Sequence, residues 1–213
     1  MINIMENKQH SLLCALIEAG DIDALRAFNV IRTKWWTQNR PWEVVAPGEI
    51  EQDEFDPTAK VIVLILNGMV IGGCRLISPD ENGFLPFLEN ADETSEYVDV
   101  TKDSLEISRW CIAKENIPPR VYYSAQKLMI TGAAKYLYDN GLESVYMDVC
   151  EFLFHMVTCE TKGRNKLVKL DTCGELHEYQ SFRFQPAALD MKQTAVLLGL
   201  VEADKVSKIA QRA

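Results

Sequence analysis

The chain has no Cys-x-x-Cys pair and only three histidines, and its six cysteines are scattered over 213 residues. Zinc sites usually draw on closely spaced cysteines and histidines, and disulfide frameworks are typical of short secreted chains. The sequence therefore indicates neither a metal site nor a disulfide scaffold. We expect the cysteines to pack as small apolar side chains in a reducing compartment.

No apolar run approaches the roughly 20 residues that a membrane helix needs. The first residues, Met1 to Asn7, lack the basic, apolar and small-residue regions of a signal peptide. Hydrophobic residues make up 47% of the chain, which is ample for a sizeable core. We expect one domain over residues 1–213, in the cytoplasm and without membrane contact.

Basic residues are too few for a nucleic-acid partner: 22 Lys and Arg face 31 Asp and Glu, a net charge of −9. Phosphate neutralisation requires clustered cations, whereas this balance favours a cationic ligand. The stretch from Lys162 to Lys169 is the candidate basic patch for an anionic partner. Its plainer interpretation is a solvated turn.

The hydrophobic periodicity predicts a mixed α/β domain with a partly antiparallel sheet. Asn67-Gly68 marks a hairpin turn, Asp21 is placed as a helix N-cap, and Asn140-Gly141 ends a helix. The predicted helices are 9 to about 19, 21–36, 122–138, 152–157 and a polar one from about 202. The predicted strands are 61–66, 69–77, 104–113 and 145–149, with a further hairpin across Cys173-Gly174 and long irregular stretches over 37–57 and 79–103.

Charged and aromatic residues follow one another between 32 and 109 in an order that core packing does not demand. The ordered pieces are Arg32, Trp36 and Trp42; Asp53 and Asp56; Gly73, Arg75 and Leu76; and Glu106, Ser108 and Arg109. Each piece alone is common, but the ordered set is specific. It resembles the acyl-homoserine-lactone synthases, the LuxI-type autoinducer synthases of quorum sensing, over roughly the N-terminal half of the chain.

The resemblance implies a fold and a reaction. The fold is α/β and N-acetyltransferase-like (GNAT-like), a three-layer αβα sandwich around a mixed, largely antiparallel sheet. In the reaction, the amine of S-adenosylmethionine attacks an acyl thioester, and the methionyl carboxylate then displaces methylthioadenosine to close a lactone. The implied partners are S-adenosylmethionine and an acyl-carrier protein or acyl-CoA, with no tightly bound cofactor and no metal.

The implied site residues fall into three groups. Glu106 is the first choice of proton acceptor and Asp53 the second, because an α-amine with a pKa near ~8 must lose a proton. Catalytic roles fall to Glu106, Asp53, Arg75 and Arg109; S-adenosylmethionine binding to Arg32, Trp36, Trp42, Asp53 and Asp56; and acyl or pantetheine binding to Phe84, Phe87, Ser108, Trp110, Met147, Val149 and Phe152.

The chemistry of these side chains agrees with that assignment. A sulfonium is recognised by aromatic faces and carboxylates, and arginine holds a carboxylate through two hydrogen bonds. Buried arginines need partners, and Asp53, Asp56 and Glu106 are the candidates. A closed structural ion network is the alternative interpretation of the whole set.

Two other functions stay open at this stage. An acetyl-CoA-dependent N-acetyltransferase of the same fold normally has a glycine-rich loop before a helix, but the stretch from Pro118 to Ala125 has no glycine. A catalytically silent ligand-binding module would keep the same charged set. Trp36 stands where the resembled family usually has phenylalanine, which predicts a narrower pocket for a short, branched or aromatic acyl group.

Overall fold

The computed structural model describes residues 1–18, 20–39, 49–158, 166–179 and 182–201. Within these ranges the chain forms nine strands and four α-helices. The strands are β1 (Ile2–Asn7), β2 (Leu12–Leu16), β3 (Lys60–Leu66), β4 (Met69–Ile77), β5 (Leu105–Ile112), β6 (Ser144–Cys150), β7 (Leu170–Thr172), β8 (His177–Tyr179) and β9 (Phe182–Asp190). The helices are α1 (Ile22–Asn39), α2 (Pro119–Asp139), α3 (Glu151–Thr158) and α4 (Met191–Leu197). None of these helices combines the length and apolar character needed to cross a membrane.

The first of two compact units comprises Met1–Ile77 and Ile107–Ala133. Its strands are ordered β1-β2-β3-β4 and then β5, with the first four antiparallel. Asn67 and Gly68 connect β3 to β4 with φ angles of 51° and 82°, because a type I′ turn needs positive φ at both positions. The hairpin predicted at this place is confirmed.

The start of the chain differs from the prediction. The helix expected from residue 9 to about 19 is wrong, since Leu12–Leu16 is a strand between β1 and β3, and β1 was not expected at all. Leu12, Cys14 and Ala15 are fully buried. A strand covered on both faces shows a nearly continuous apolar run, which periodicity does not distinguish from a buried helix.

Helix α1 follows as predicted and continues to Asn39. The carbonyl of Asp21 accepts the first helical hydrogen bond, from Leu25 N–H at 3.1 Å. The Asp21 carboxylate accepts from Glu18 N–H at 2.9 Å. Asp21 thus takes the expected place before the helix, and its side chain fastens the preceding turn.

Gly72 and Gly73 allow two elements to approach β4 closely. A Cβ on Gly73 would lie 2.5 Å from the Ile62 carbonyl oxygen and 2.8 Å from the Phe28 ring of α1. On Gly72 it would lie 2.5 Å from the Cys111 carbonyl oxygen and 2.9 Å from the Ile112 Cα. The double glycine therefore brings α1 and β5 against the strand that carries Arg75.

We expect Gly72→Ala to destabilise the protein by about 1–3 kcal/mol, because the clash is with backbone that cannot move cheaply. Denaturant unfolding measures the effect. Gly20→Ala is the matched control, since an added Cβ there meets nothing within 4 Å. Equal unfolding free energies for the two variants would contradict the close approach of β5.

The second unit comprises Ser78–Glu106 and the described residues from Ala134 on. Helix α2, predicted from Tyr122, begins at Pro119. Gly141, with φ 67°, ends the helix. Its N–H donates to the Tyr138 carbonyl at 3.0 Å, and the Leu142 N–H donates to the Leu137 carbonyl at 3.1 Å. This is a Schellman cap, so the predicted helix end is confirmed.

The strands of the second unit are ordered β5-β6-β9-β7, and β8 also pairs with β9. β5 and β6 are parallel, with Leu105 opposite Val145, whereas β9 is antiparallel to β6, β7 and β8. The predictions of β5, β6 and α3 are confirmed. The hairpin across Cys173-Gly174 is wrong, because β7 and β8 each pair with β9.

The described cysteines behave as expected of buried thiols. Cys14, Cys74, Cys111 and Cys173 are buried and free. Burial raises the pKa of Cys14 and of Cys111 to about 12. These thiols therefore stay protonated at neutral pH.

Two predicted segments lie wholly or partly outside the described residues. The polar helix from about residue 202 falls entirely there, and so does half of the basic stretch 162–169, residues 162–165. Of that stretch, the Lys169 ammonium pairs with the Asp171 carboxylate.

Candidate active site

Arg32 projects from α1 and is only 1% exposed. Its Nη1 and Nη2 donate to the two carboxylate oxygens of Asp56, each at 2.7 Å. Nη2 also donates to the Glu51 carbonyl at 2.8 Å, and Nε donates to the Glu51 carboxylate. Burial alone would lower the pKa of Arg32, but the hydrogen bonds and charges of Asp56 and Glu51 outweigh it and raise that pKa.

Arg75 is the seventh of the nine residues of β4 and is equally buried. Its Nη1 and Nη2 meet the two carboxylate oxygens of Asp53 at 2.5 and 2.9 Å. Nη1 also donates to Asp56 Oδ1 at 2.7 Å, and Nε to Ser108 Oγ at 3.1 Å. The predicted pairing of Asp53 with Arg75 is present, and Asp56 bridges Arg75 and Arg32.

Arg109 completes the group from β5, with a left-handed backbone at φ 52°. Its Nη2 lies 2.9 Å from Asp53 Oδ2 and 3.0 Å from Glu51 Oε1. The guanidinium carbon sits 4.4 Å from the centre of the Trp36 ring, within cation–π range. One face of Trp36 is thus covered by Arg109, and the residue is only 5% exposed.

The carboxylates come from one short segment that its own hydrogen bonds shape. Asp53 N–H donates to Asp56 Oδ2 at 2.9 Å, and Phe55 N–H donates to Asp53 Oδ1 at 3.0 Å. Glu51 N–H donates to Thr33 Oγ1 on α1 at 2.9 Å. The spacing of three between the aspartates therefore forms a turn that points both carboxylates at the arginines.

Three guanidiniums and three carboxylates cancel in this charge network, which we define as Arg32, Arg75 and Arg109 with Glu51, Asp53 and Asp56. Burial raises the pKa of Asp53, but Arg75 and then Arg109 outweigh it, so that this pKa lies below its usual range. For Asp56, Arg32, the Asp53 N–H and Arg75 outweigh burial in the same way and lower its pKa. Asp53 and Asp56 are therefore ionised at neutral pH.

These depressed pKa values predict a particular dependence on acid. Their contribution to stability is fully present above the unfolded aspartate pKa of about 3.9 and is lost as pH falls through the lower folded pKa. Below about pH 4 we expect the unfolding free energy to fall more steeply for the wild type than for Asp56→Asn. Denaturant unfolding at a series of pH values measures both slopes. Asp103→Asn, at an exposed position outside the network, should keep the wild-type slope, and parallel wild-type and Asp56→Asn curves would contradict the prediction.

Glu106 belongs to the second unit, where it is 4% exposed. Its Oε2 accepts a hydrogen bond from Phe87 N–H at 2.7 Å. The Phe87 ring stacks on Tyr146, with centroids 4.8 Å apart, and Tyr146 is opposite Glu106 in the β5–β6 register. Glu106, Phe87 and Tyr146 therefore share one face of this sheet.

The remaining predicted residues occupy varied places. Phe87 is buried, while Phe84 is half-buried in a turn in which its N–H donates to Asp80 Oδ1 at 2.8 Å. Met147 and Val149 alternate with Tyr146 along β6 and so project from the opposite face. Phe152 is 76% exposed on α3, Trp110 is half-buried on β5, and Trp42 lies outside the described residues.

Glu51 is the functional residue that the sequence did not single out. The segment Glu49 to Asp56 carries five acidic residues, and the pattern of charges does not say which of them face the arginines. The spacing of two between Glu51 and Asp53 is only a weak indication that Glu51 belongs with Asp53. The hydrogen bonds with Thr33 and Arg32 fix Glu51 toward α1, and they appear only in the structure.

Residues 36–121 match a family model described as an acetyltransferase (GNAT) domain. Among curated proteins, none matches the chain. The mixed sheet, of which the β5–β6 pair is parallel and the other registered pairs antiparallel, agrees with this match. The fold is that of the GNAT-type N-acyltransferases, as the resemblance implied.

Solved structures with this fold include several acyl-homoserine-lactone synthases. LasI, described as an AHL synthase, has a TM-score of 0.68 at 15% identity, over 88% of this chain and 93% of that one. BjaI, described as a CoA-dependent acyl-homoserine lactone synthase with SAM and isopentyl-CoA, has a TM-score of 0.65 at 17% identity, over 92% and 90%. TofI, described as a ternary complex with an inhibitor and MTA, has a TM-score of 0.64 at 18% identity, over 89% and 98%. At these identities the likeness establishes the fold, and so confirms the predicted resemblance at that level.

Proposed function

We propose that the protein is an acyl-homoserine-lactone synthase that makes a quorum-sensing signal. It acylates the amine of S-adenosylmethionine from an acyl-carrier-protein or acyl-CoA thioester and closes the lactone with release of methylthioadenosine. The observation that carries the proposal is the neutral charge network, built on a fold that acyl-homoserine-lactone synthases also have. A core that needed only apolar packing would have no use for six buried or half-buried charges, since burying charge is costly.

S-adenosylmethionine presents the three charges that this network is suited to receive. An arginine can take the methionyl carboxylate through two hydrogen bonds, while Asp53 and Asp56 attract the sulfonium. Every guanidinium of the network is already paired with a carboxylate. The substrate carboxylate therefore binds an arginine by taking the place of one of these carboxylates. Trp36 has one face occupied by Arg109, so its contribution to the sulfonium comes from its edge or its other face, together with Trp42.

The acyl transfer moves two protons and breaks one bond to sulfur. The ammonium first loses a proton to Glu106, or to Asp53 as second choice, and the neutral nitrogen then bonds to the thioester carbon. The C–S bond breaks, and the second nitrogen proton passes to the departing sulfur, which leaves as the thiol. Ring closure follows when the methionyl carboxylate oxygen attacks the carbon attached to the sulfonium, and that C–S bond breaks. The Phe87 N–H supports this role because its hydrogen bond to Oε2 fixes the orientation of the Glu106 carboxylate.

The competing proposal is an acetyl-CoA-dependent N-acetyltransferase, which the match to a GNAT acetyltransferase domain favours. Enzymes of that class hold the pyrophosphate on free N–H groups at a helix start. Here α2 starts with Pro119, which has no N–H, and Val121 N–H donates to the Pro118 carbonyl at 2.8 Å. This helix start is therefore poorly equipped for a pyrophosphate.

A direct assay separates the two proposals. Purified protein is incubated with S-adenosylmethionine and a panel of acyl-CoA and acyl-carrier-protein thioesters, and products are identified by mass spectrometry. We expect an acyl-homoserine lactone and methylthioadenosine in equal amounts, and neither from Asp53→Asn. Acetylation of unrelated amines from acetyl-CoA, without methylthioadenosine, would establish the competing function instead.

A further inference from the structure

The second unit contains a polar cluster that the proposed reaction does not use. His177 Nε2, on β8, lies 3.1 Å from Asp148 Oδ2, on β6. Asn90 Nδ2 donates to the same oxygen at 3.1 Å. The His177 ring stacks on Phe184 with centroids 6.0 Å apart, so the imidazole is held on one face and at one nitrogen.

The other nitrogen of His177 is the notable atom. Nδ1 is buried and has no hydrogen-bond partner anywhere in the described parts of the chain. Buried polar atoms are nearly always paired, and an unpaired one is destabilising. The cluster thus holds an oriented imidazole whose Nδ1 lacks the hydrogen bond that a buried polar atom normally makes.

Two independent measures place this cluster near Glu106. Asp148 follows Tyr146 by two residues on β6, and Tyr146 is in register with Glu106; two strand residues span roughly 6–7 Å. Phe87 donates a hydrogen bond to Glu106, and Asn90 donates one to Asp148. Phe87 lies in the 3₁₀ turn Pro86–Glu89 and Asn90 directly follows it. The two donors are three residues apart, a rise of about 6 Å in a 3₁₀ helix. Asp148 and Glu106 also lie on the same face of the strands, because residues two apart point the same way.

We propose that His177 and Asp148 form a subsite that recognises a hydroxyl group on the acyl substrate. This inference rests on the proposed function, in which Glu106 marks the place of acyl transfer. An acyl chain extending from there along β6 reaches the cluster within a few carbon–carbon bonds. The substrate class is then a hydroxylated acyl thioester rather than a plain alkanoyl one.

The chemistry of imidazole selects a hydroxyl in particular. If His177 is neutral and gives its Nε2 proton to Asp148, Nδ1 is an acceptor; if His177 is charged, Nδ1 is a donor. A hydroxyl is both donor and acceptor, so it pairs with Nδ1 in either state. A site that hydrogen-bonds a substrate hydroxyl rejects the analogue without it, because the buried polar atom is then left unpaired.

The test compares octanoyl-CoA with its monohydroxylated derivatives, one for each chain carbon, by calorimetric titration and by kcat/KM with S-adenosylmethionine. For the wild type we expect one isomer to be favoured over octanoyl-CoA by about tenfold or more in both measurements. His177→Phe keeps a ring that can stack on Phe184 and should reduce that ratio to near one. Asp148→Asn, nearly identical in shape, should also reduce it, and serves if His177→Phe does not fold.

His155→Phe is the matched control, since His155 is an exposed histidine on α3 outside the cluster, and it should keep the wild-type ratio. Equal affinity of the wild type for all the thioesters, or an unchanged ratio in both His177→Phe and Asp148→Asn, would overturn the subsite. A binding preference that disappears in the variants, with no lactone formed from any thioester, would support the subsite and reject the synthase function. Lactone formation without a hydroxyl preference would do the reverse.

Discussion

Asp53→Asn and Arg75→Gln are each expected to abolish product formation and to lower the unfolding free energy by about 3–5 kcal/mol, because removing one member of a buried pair leaves the other's charge uncompensated. The pair is joined by two hydrogen bonds, and Arg75 is 1% exposed. The double variant should lose less stability than the sum of the two single variants, since neither charge is then left alone. Its activity should stay absent, because in the proposed function the pair also positions substrate.

A double-mutant cycle by denaturant unfolding measures this coupling, with product formation assayed in parallel. Lys34→Gln provides the control, since Lys34 forms an exposed ion pair with Glu115. Such pairs contribute about 0–1 kcal/mol. Strictly additive losses for Asp53 and Arg75 would show that the two residues do not interact, which would contradict the geometry described for the network.

Glu106→Gln is expected to reduce turnover by about 10²–10⁴-fold with little change in thermal midpoint. Glutamine keeps an oxygen that can accept from Phe87 N–H, so the local structure should survive while the proposed proton acceptor is lost. Steady-state kinetics and thermal unfolding measure the two effects separately. Glu89→Gln, at an exposed position on the same 3₁₀ turn, should change neither, and near-parental turnover of Glu106→Gln would remove Glu106 from the mechanism.

Local patterns predicted the parts of the fold that local chemistry determines. Asn67-Gly68 specifies its turn through two positive φ angles, and Gly141 specifies the end of α2. The Asp53 and Asp56 carboxylates were predicted from the family resemblance, and the structure shows that their spacing of three forms a turn which orients both side chains. These features depend on neighbours within a few residues.

The features that the sequence did not predict depend on distant partners. β2 is a strand because β1 and β3 cover its edges, and its short apolar run gives no sign of either neighbour. β7 and β8 have three residues each, too few to show a period, and their shared partner β9 lies further along the chain. Glu51 and the His177 cluster are likewise brought together only by tertiary contacts.

Arg75 lies near the end of β4, a strand with a neighbour on each side, so its buried charge needs Asp53 and Asp56 in place when the sheet of the first unit is complete. Chaperones and proteases in a cell act on the unfolded fraction, which a few kcal/mol changes by orders of magnitude. A substitution in the network is therefore expected to lower the amount of protein in a cell as well as the rate per molecule. Product levels from whole cells carrying such variants would therefore reflect the amount of folded protein, and only rates normalised to folded protein would measure the effect on chemistry.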